Sequence, residues 1–239
     1  MQIKAIGGLM LLLAGTSLGA AAVFFLKGEL KKSINRALEG FAAGVMVAAS
    51  VWSLIIPAIN GSAALGRLAF LPAAIGLWLG FVFLMLIERL AGGLEKNGAV
   101  PGKSAMMIFA VTLHNIPEGM AVGVAYAALR AGSSGVNEAA VLTLAAGIAI
   151  QNIPEGAIIS LPLRAEGKGR GRAFFAGVLS GAVEPIAGGI TVILAGLIAP
   201  LMPLFLSFAA GAMLYVVVEE LIPECANASE ATSAQYFLH

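Results

Sequence analysis

The sequence predicts an all-α fold, a polytopic membrane bundle of seven transmembrane helices, and three observations carry that prediction. Of the 239 residues, 59% are hydrophobic and only 11% charged, whereas soluble globular chains carry about 25% charged residues. An apolar majority of this size must face lipid. Apolar runs of about 20 residues recur along the chain, the length a helix needs to cross hydrocarbon, where an open structure would leave its backbone polar groups unsatisfied. The basic residues also fall on one side. Lys27, Lys31, Lys32 and Arg36 follow the first run; Arg89, Lys96 and Lys103 separate the third from the fourth; Arg164, Lys168, Arg170 and Arg172 separate the fifth from the sixth. Only Lys4, Arg67 and Arg130 of the 14 remain for the other side, so the positive-inside rule puts the N-terminus outside and those three loops in the cytoplasm. A net charge of +1 excludes a nucleic-acid partner, which needs a basic stripe. The single Cys225 excludes a disulfide framework or a thiolate metal cluster.

The crossings are expected at Ala5 to Leu26, Ala37 to Ile59, Leu68 to Ile87, Ser104 to Leu129, Ala139 to Leu163, Ala173 to Ala199 and Leu201 to Val218. The first contains the small residues Gly19-Ala20-Ala21-Ala22, but it is longer than the roughly 7–15-residue apolar core of a secretory signal and reads as a retained helix. The last two form one nearly unbroken run, divided at Ala199-Pro200-Leu201-Met202-Pro203 because paired prolines turn the chain. All loops are short and leave no room for a soluble domain. The segment Glu88 to Ser104, with Gly92, Gly93, Gly98 and Gly102, is expected to be the most flexible. Residues 1–225 read as one transmembrane domain and residues 226–239 as a short polar tail.

Charges in mid-span are the informative residues, because each costs roughly 3 kcal/mol to insert and persists only with a partner or a function. Glu118 lies in His114-Asn115-Ile116-Pro117-Glu118-Gly119, Glu155 in Gln151-Asn152-Ile153-Pro154-Glu155-Gly156, and Glu184 in Val183-Glu184-Pro185. The two hexapeptides are near copies on adjacent antiparallel spans, which suggests two-fold pseudosymmetry in the membrane plane. Positions i and i+4 share a helix face, so His114 points with Glu118, and Gln151 with Glu155. Pro117, Pro154 and Pro185 cannot donate to the carbonyls of Leu113, Ile150 and Gly181, leaving those oxygens free. Imidazole nitrogen, carboxylates and amide oxygens suit a divalent cation of the zinc, iron or manganese kind and disfavour Cu(I). A proline in such a helix is ordinarily a kink without chemistry, and a lone intramembrane Glu can be protonated and hydrogen-bonded. Three proline-flanked glutamates, two of them in a duplicated motif beside the one non-terminal His, outweigh that reading.

These motifs resemble those of the ZIP (Zrt-, Irt-like) family of divalent metal transporters, in its bacterial GufA-like branch, over about residues 1–225. The two hexapeptides match the family's fourth and fifth helices, Glu184-Pro185 its sixth and Glu219-Glu220-Leu221-Ile222-Pro223-Glu224 its seventh. The resemblance implies an inverted-repeat-like fold with a binuclear metal site. His114, Glu118 and Glu155 would form the main position with Gln151 close by, while Asn115, Asn152 and Glu184 would build the neighbouring one, bridged by Glu118 and Glu155. Met46 would supply a thioether ligand. The resemblance also implies uptake of zinc, with iron, cadmium and manganese as further cargo, toward the cytoplasm across a bacterial inner membrane, and it allows a homodimer.

No catalytic cofactor and no enzymatic activity are expected. Taken without the family, Met46 reads as core filler, and Ser50, one turn on, could line the path. Glu39 and Glu88 read as solvated charges near span ends; Glu219, Glu220 and Glu224 lie at the cytoplasmic end of the seventh span, where an exit site would receive metal, and read slightly more readily as interfacial charges. The family's usual eighth helix has no counterpart in the polar Ala226 to His239, and the third loop lacks the His-rich tract of many relatives. Two other classes compete. A membrane hydrolase needs ligands plus a general base, as in His-Glu-x-x-His, and that motif is absent. A proton or organic-solute carrier would use the same glutamates as a relay and is separated by metal binding.

Overall fold

Because hydrocarbon satisfies no backbone group, every element here closes its own hydrogen bonds, and no strand occurs among the described residues. The computed structural model describes residues 2–26, 31–96, 103–133, 136–198 and 201–223. Lys27, Gly98, Gly102, Pro200, Glu224, Cys225 and the tail 226–239 lie outside the described residues. Six helices are long and apolar enough to cross a membrane: α1 (Ala5–Phe25), α2 (Arg36–Gly61), α3 (Phe70–Leu90), α5 (Glu138–Ala165), α6 (Arg170–Ile193) and α7 (Met202–Leu221). The remaining expected crossing, which bears the first hexapeptide, is α4 (Lys103–Arg130), 28 residues or about 42 Å of helix.

Prolines shape these helices in two ways. Pro117 and Pro154 sit inside continuous α4 and α5, whereas α6 is interrupted between Gly181 and Val183, where Pro185 cannot donate to the Gly181 carbonyl. In α2 and α7 the helix widens into π turns at Ala49–Ile55 and Val217–Leu221. Each widened stretch ends just before a proline, Pro57 or Pro223, whose missing N–H releases the carbonyl four residues back. Asn137 caps α5, its side chain accepting from the Ala140 N–H at 2.9 Å. Helical structure continues past α3 to Lys96, so Glu88 to Lys96 extends the helix rather than opening the expected flexible loop.

The helices form two groups. In the first, α1, α4, α5 and α6 meet through glycines. A methyl on Gly19 would strike the carbonyl of Ile153, one on Gly156 that of Thr16, and one on Gly119 that of Glu184. Small residues of this kind let backbones approach where lipid offers no hydrophobic drive between helices. In the second group α3 and α7 meet likewise, Gly80 against Phe208 and Gly211 against Leu77. The ring pairs Phe83–Phe208 and Phe81–Tyr215 reinforce them, and α2 lies along α7. The seam between groups is looser at Gly147 of α5, where a methyl would make only ordinary contact with Val45 of α2 at 3.4 Å. Trp52, Trp78, Phe175 and Ile193 point outward and exposed, as side chains bathed in lipid do.

Candidate metal site

Facing one another across the first group, the two hexapeptides bury an unusual amount of polarity at mid-helix. Asn115, Glu118, Gln151, Asn152 and Glu184 have no exposed surface, and His114 has 5%. Each amide uses its NH2 on a protein acceptor. Gln151 Nε2 donates to Glu118 Oε1 at 2.5 Å, Asn152 Nδ2 to Glu184 Oε2 at 2.6 Å, and Asn115 Nδ2 to the Ser180 carbonyl at 3.1 Å. These bonds fix the amide orientations and turn the oxygens the other way. Among the described residues no donor reaches Asn115 Oδ1, Glu118 Oε2, Gln151 Oε1, Asn152 Oδ1 or Glu155 Oε2. Every one is a lone-pair acceptor. Left without a donor, each would cost about 1–3 kcal/mol, and a set of hard oxygens with carboxylates among them is what a divalent cation binds. Glu118 is repelled by the charges of Glu155 and Glu184, and Glu155 by that of Glu220, though His114 attracts it. A cation among them relieves that repulsion.

His114 is held from an unexpected side. Its Nε2 lies 2.7 Å from Glu88 Oε1 and its Nδ1 3.1 Å from Glu220 Oε2, while the Tyr215 hydroxyl donates to Glu88 Oε2 at 2.6 Å. A neutral imidazole has one N–H and could donate to only one of these carboxylates, so both contacts together need one further proton, on the ring or on a carboxyl. The expectations for Glu88 and Glu220 are therefore corrected. Neither is merely solvated or interfacial, because the His-bearing face of α4 is turned toward the ends of α3 and α7. Glu39 is corrected as well: it is 4% exposed, packed inside the bundle and engaged with a neighbour. Glu88, His114 and Glu220 each present a ligand atom within 4.8 Å of the others, a second metal-competent cluster that straddles the seam.

Direct bonds thus tie Gln151 to Glu118 and Asn152 to Glu184, as two pairs, with Glu155 in electrostatic range of both glutamates. Met46 is fully buried on α2 in the apolar cluster that includes Leu144, Ile148 and Met213. Ser50, in the π turn of α2, is buried with no partner for its hydroxyl among the described residues. Sequence reasoning missed Thr16, Glu88, Tyr215 and Glu220 as parts of the polar network. Apart from the acidic motif that contains Glu220, their only signal was polarity on otherwise apolar helices, and their partners come from helices distant in the chain.

Comparison with known proteins points the same way. Residues 95–239 match the family described as ZIP zinc transporter. Zinc transporter GufA of Myxococcus xanthus is 39% identical over 89% of this chain and 85% of its own length. Zinc transporter ZIP11 of Homo sapiens is 34% identical over 87% and 85%, and zinc transporter ZIPB of Bordetella bronchiseptica 35% over 92% and 72%.

Proposed function

The chain belongs to the ZIP zinc transporter family, and from that premise we propose that it carries divalent cations, zinc foremost, across the membrane through the buried cluster around Glu118 and Glu155. The observation that carries this reading is the set of buried oxygens that no donor among the described residues reaches, on Asn115, Glu118, Gln151, Asn152 and Glu155. Stripping water from a divalent ion is so costly that carboxylates must replace its shell. Glu118 and Glu155 supply two charges against the two of the ion, and Gln151 adds a neutral oxygen. His114 joins them when its ring leaves the acids of the second group. Asn115, Asn152 and Glu184 form the neighbouring position of a binuclear site, and Met46 is the soft ligand offered from α2.

In this reading, transport is alternating access, one helix group moving against the other. The division into two glycine-packed groups with a looser seam supports it. His114 belongs to the first group and Glu88 and Glu220 to the second, so an ion leaving Glu118 and Glu155 is passed to the seam cluster and released beyond it. The basic loops put that end in the cytoplasm and the N-terminus outside. The bacterial relatives GufA and ZIPB support a bacterial inner membrane. Zinc flux into proteoliposomes tests the assignment. Glu155→Ala should abolish flux and zinc binding, while flux with wild-type affinity in that variant would overturn it.

A further inference from the structure

We propose that Thr16 on α1 sets how many ions the site holds, its hydroxyl keeping Glu184 bound to the protein so that the position at Asn115, Asn152 and Glu184 fills weakly. The inference rests on the reading that metal binds at Glu118 and Glu155. Glu184 differs from those two carboxylates. Its Oε1 accepts from Thr16 Oγ1 at 3.1 Å and its Oε2 from Asn152 Nδ2 at 2.6 Å, whereas Glu118 Oε2 and Glu155 Oε2 have no donor among the described residues. One divalent ion is neutralised by Glu118 and Glu155, each of which keeps an oxygen without a donor among the described residues, Gln151 holding only Oε1 of Glu118. A second must take Glu184 away from neutral donors that already satisfy it. Breaking one hydrogen bond to a buried carboxylate weakens that step by roughly tenfold to a hundredfold.

Thr16 is also built in so that it cannot easily yield. It has no exposed surface, and a methyl on Gly181 of α6 would collide with its side chain and one on Gly156 of α5 with its carbonyl. A threonine in a membrane helix ordinarily bonds the carbonyl four residues back. Here that contact, to Leu12, is 3.4 Å, and the interhelical one to Glu184 is shorter at 3.1 Å. The hydroxyl therefore serves the site as well as its own helix, and Thr16 is a positioning residue that acts through Glu184.

Zinc and cadmium titration of the full chain in detergent by calorimetry, with metal content counted after desalting, tests this. Wild type should bind one ion tightly and a second weakly. Thr16→Val, which keeps shape and removes the hydroxyl, should tighten the second ion about tenfold or more and leave the first within about threefold. Thr16→Ser should keep the wild-type pattern. A second-ion affinity unchanged in Thr16→Val, or equal in the Val and Ser variants, overturns the inference. Should Thr16→Val not fold, Thr16→Ala frees the same oxygen without added bulk and carries the same expectation. Absence of any bound ion in wild type, or undiminished binding in Glu155→Ala, would instead defeat the reading of the main site.

Discussion

The group of α1, α4, α5 and α6 and the group of α2, α3 and α7 use the same packing device to different ends. Both press backbones together at glycine, Gly119 on Glu184 in one and Gly80 on Phe208 in the other. The first group then fills its middle with Asn115, Glu118, Gln151, Asn152 and Glu184, which have no exposed surface, while the second, apart from the buried Glu39 of α2, keeps its acids toward the ends of α3 and α7, where Glu88 and Glu220 side chains are 23% and 36% exposed. Close packing is thus a general answer to the lack of a hydrophobic drive in lipid, and polarity is the specific one. A fully buried acid needs a cation or a proton, whereas a half-exposed one can keep water. His114 connects the two regimes.

The comparison breaks most completely if the groups cannot move apart. Val45→Cys with Gly147→Cys, in a Cys225→Ser background, joins the groups across the seam. A short thiol cross-linker should then stop zinc flux, with recovery on reduction. Phe83→Cys with Phe208→Cys joins helices of one group and should leave flux largely intact under the same treatment. Flux that survives the first cross-link would show that the groups need not separate.

Next in size is the glycine packing. Gly119→Val forces side-chain atoms into the Glu184 backbone, an overpacking worth about 1–3 kcal/mol or more. It should lower the thermal midpoint of the detergent-solubilised protein by several degrees, whereas Gly44→Ala, facing open space, should leave it unchanged. A smaller effect is expected from the seam acids. Glu220→Gln or Glu88→Gln should slow turnover about tenfold, the equivalent of one charge-assisted hydrogen bond, with equilibrium zinc affinity little altered. A matching loss of affinity would assign these acids to the main site. The smallest change is that of Met46→Ala. Losing a soft ligand should cut cadmium relative to zinc by about threefold in competition flux, and an unchanged ratio would return Met46 to the apolar cluster alone.

Much of the fold was legible in the chain because membrane physics is local. The hydrocarbon layer sets how long an apolar run must be, and α1, α3, α5 and α7 begin and end within a few residues of the expected limits. The core of the site was legible for the same reason. An i, i+4 pair needs no partner helix to share a face, whereas the break of α6 after Gly181 was not legible, since Pro117 and Pro154 leave their helices continuous where Pro185 does not. What stayed hidden were contacts between helices far apart in sequence, such as Thr16 with Glu184 and His114 with Glu88 and Glu220. The π turns before Pro57 and Pro223 were hidden too, since a proline permits a widened turn without requiring one.

Composition, run length and the repeated hexapeptide therefore determined by themselves that this chain crosses a membrane and concentrates amides and carboxylates at mid-helix. Only the tertiary structure decided which acids are committed and which are available. Helix register depends on glycines seating against partner backbones, and a shift of one residue, about 1.5 Å of rise and 100° of rotation, would turn Glu118 and Glu184 away from the neighbours that leave one oxygen of the first free and satisfy both of the second.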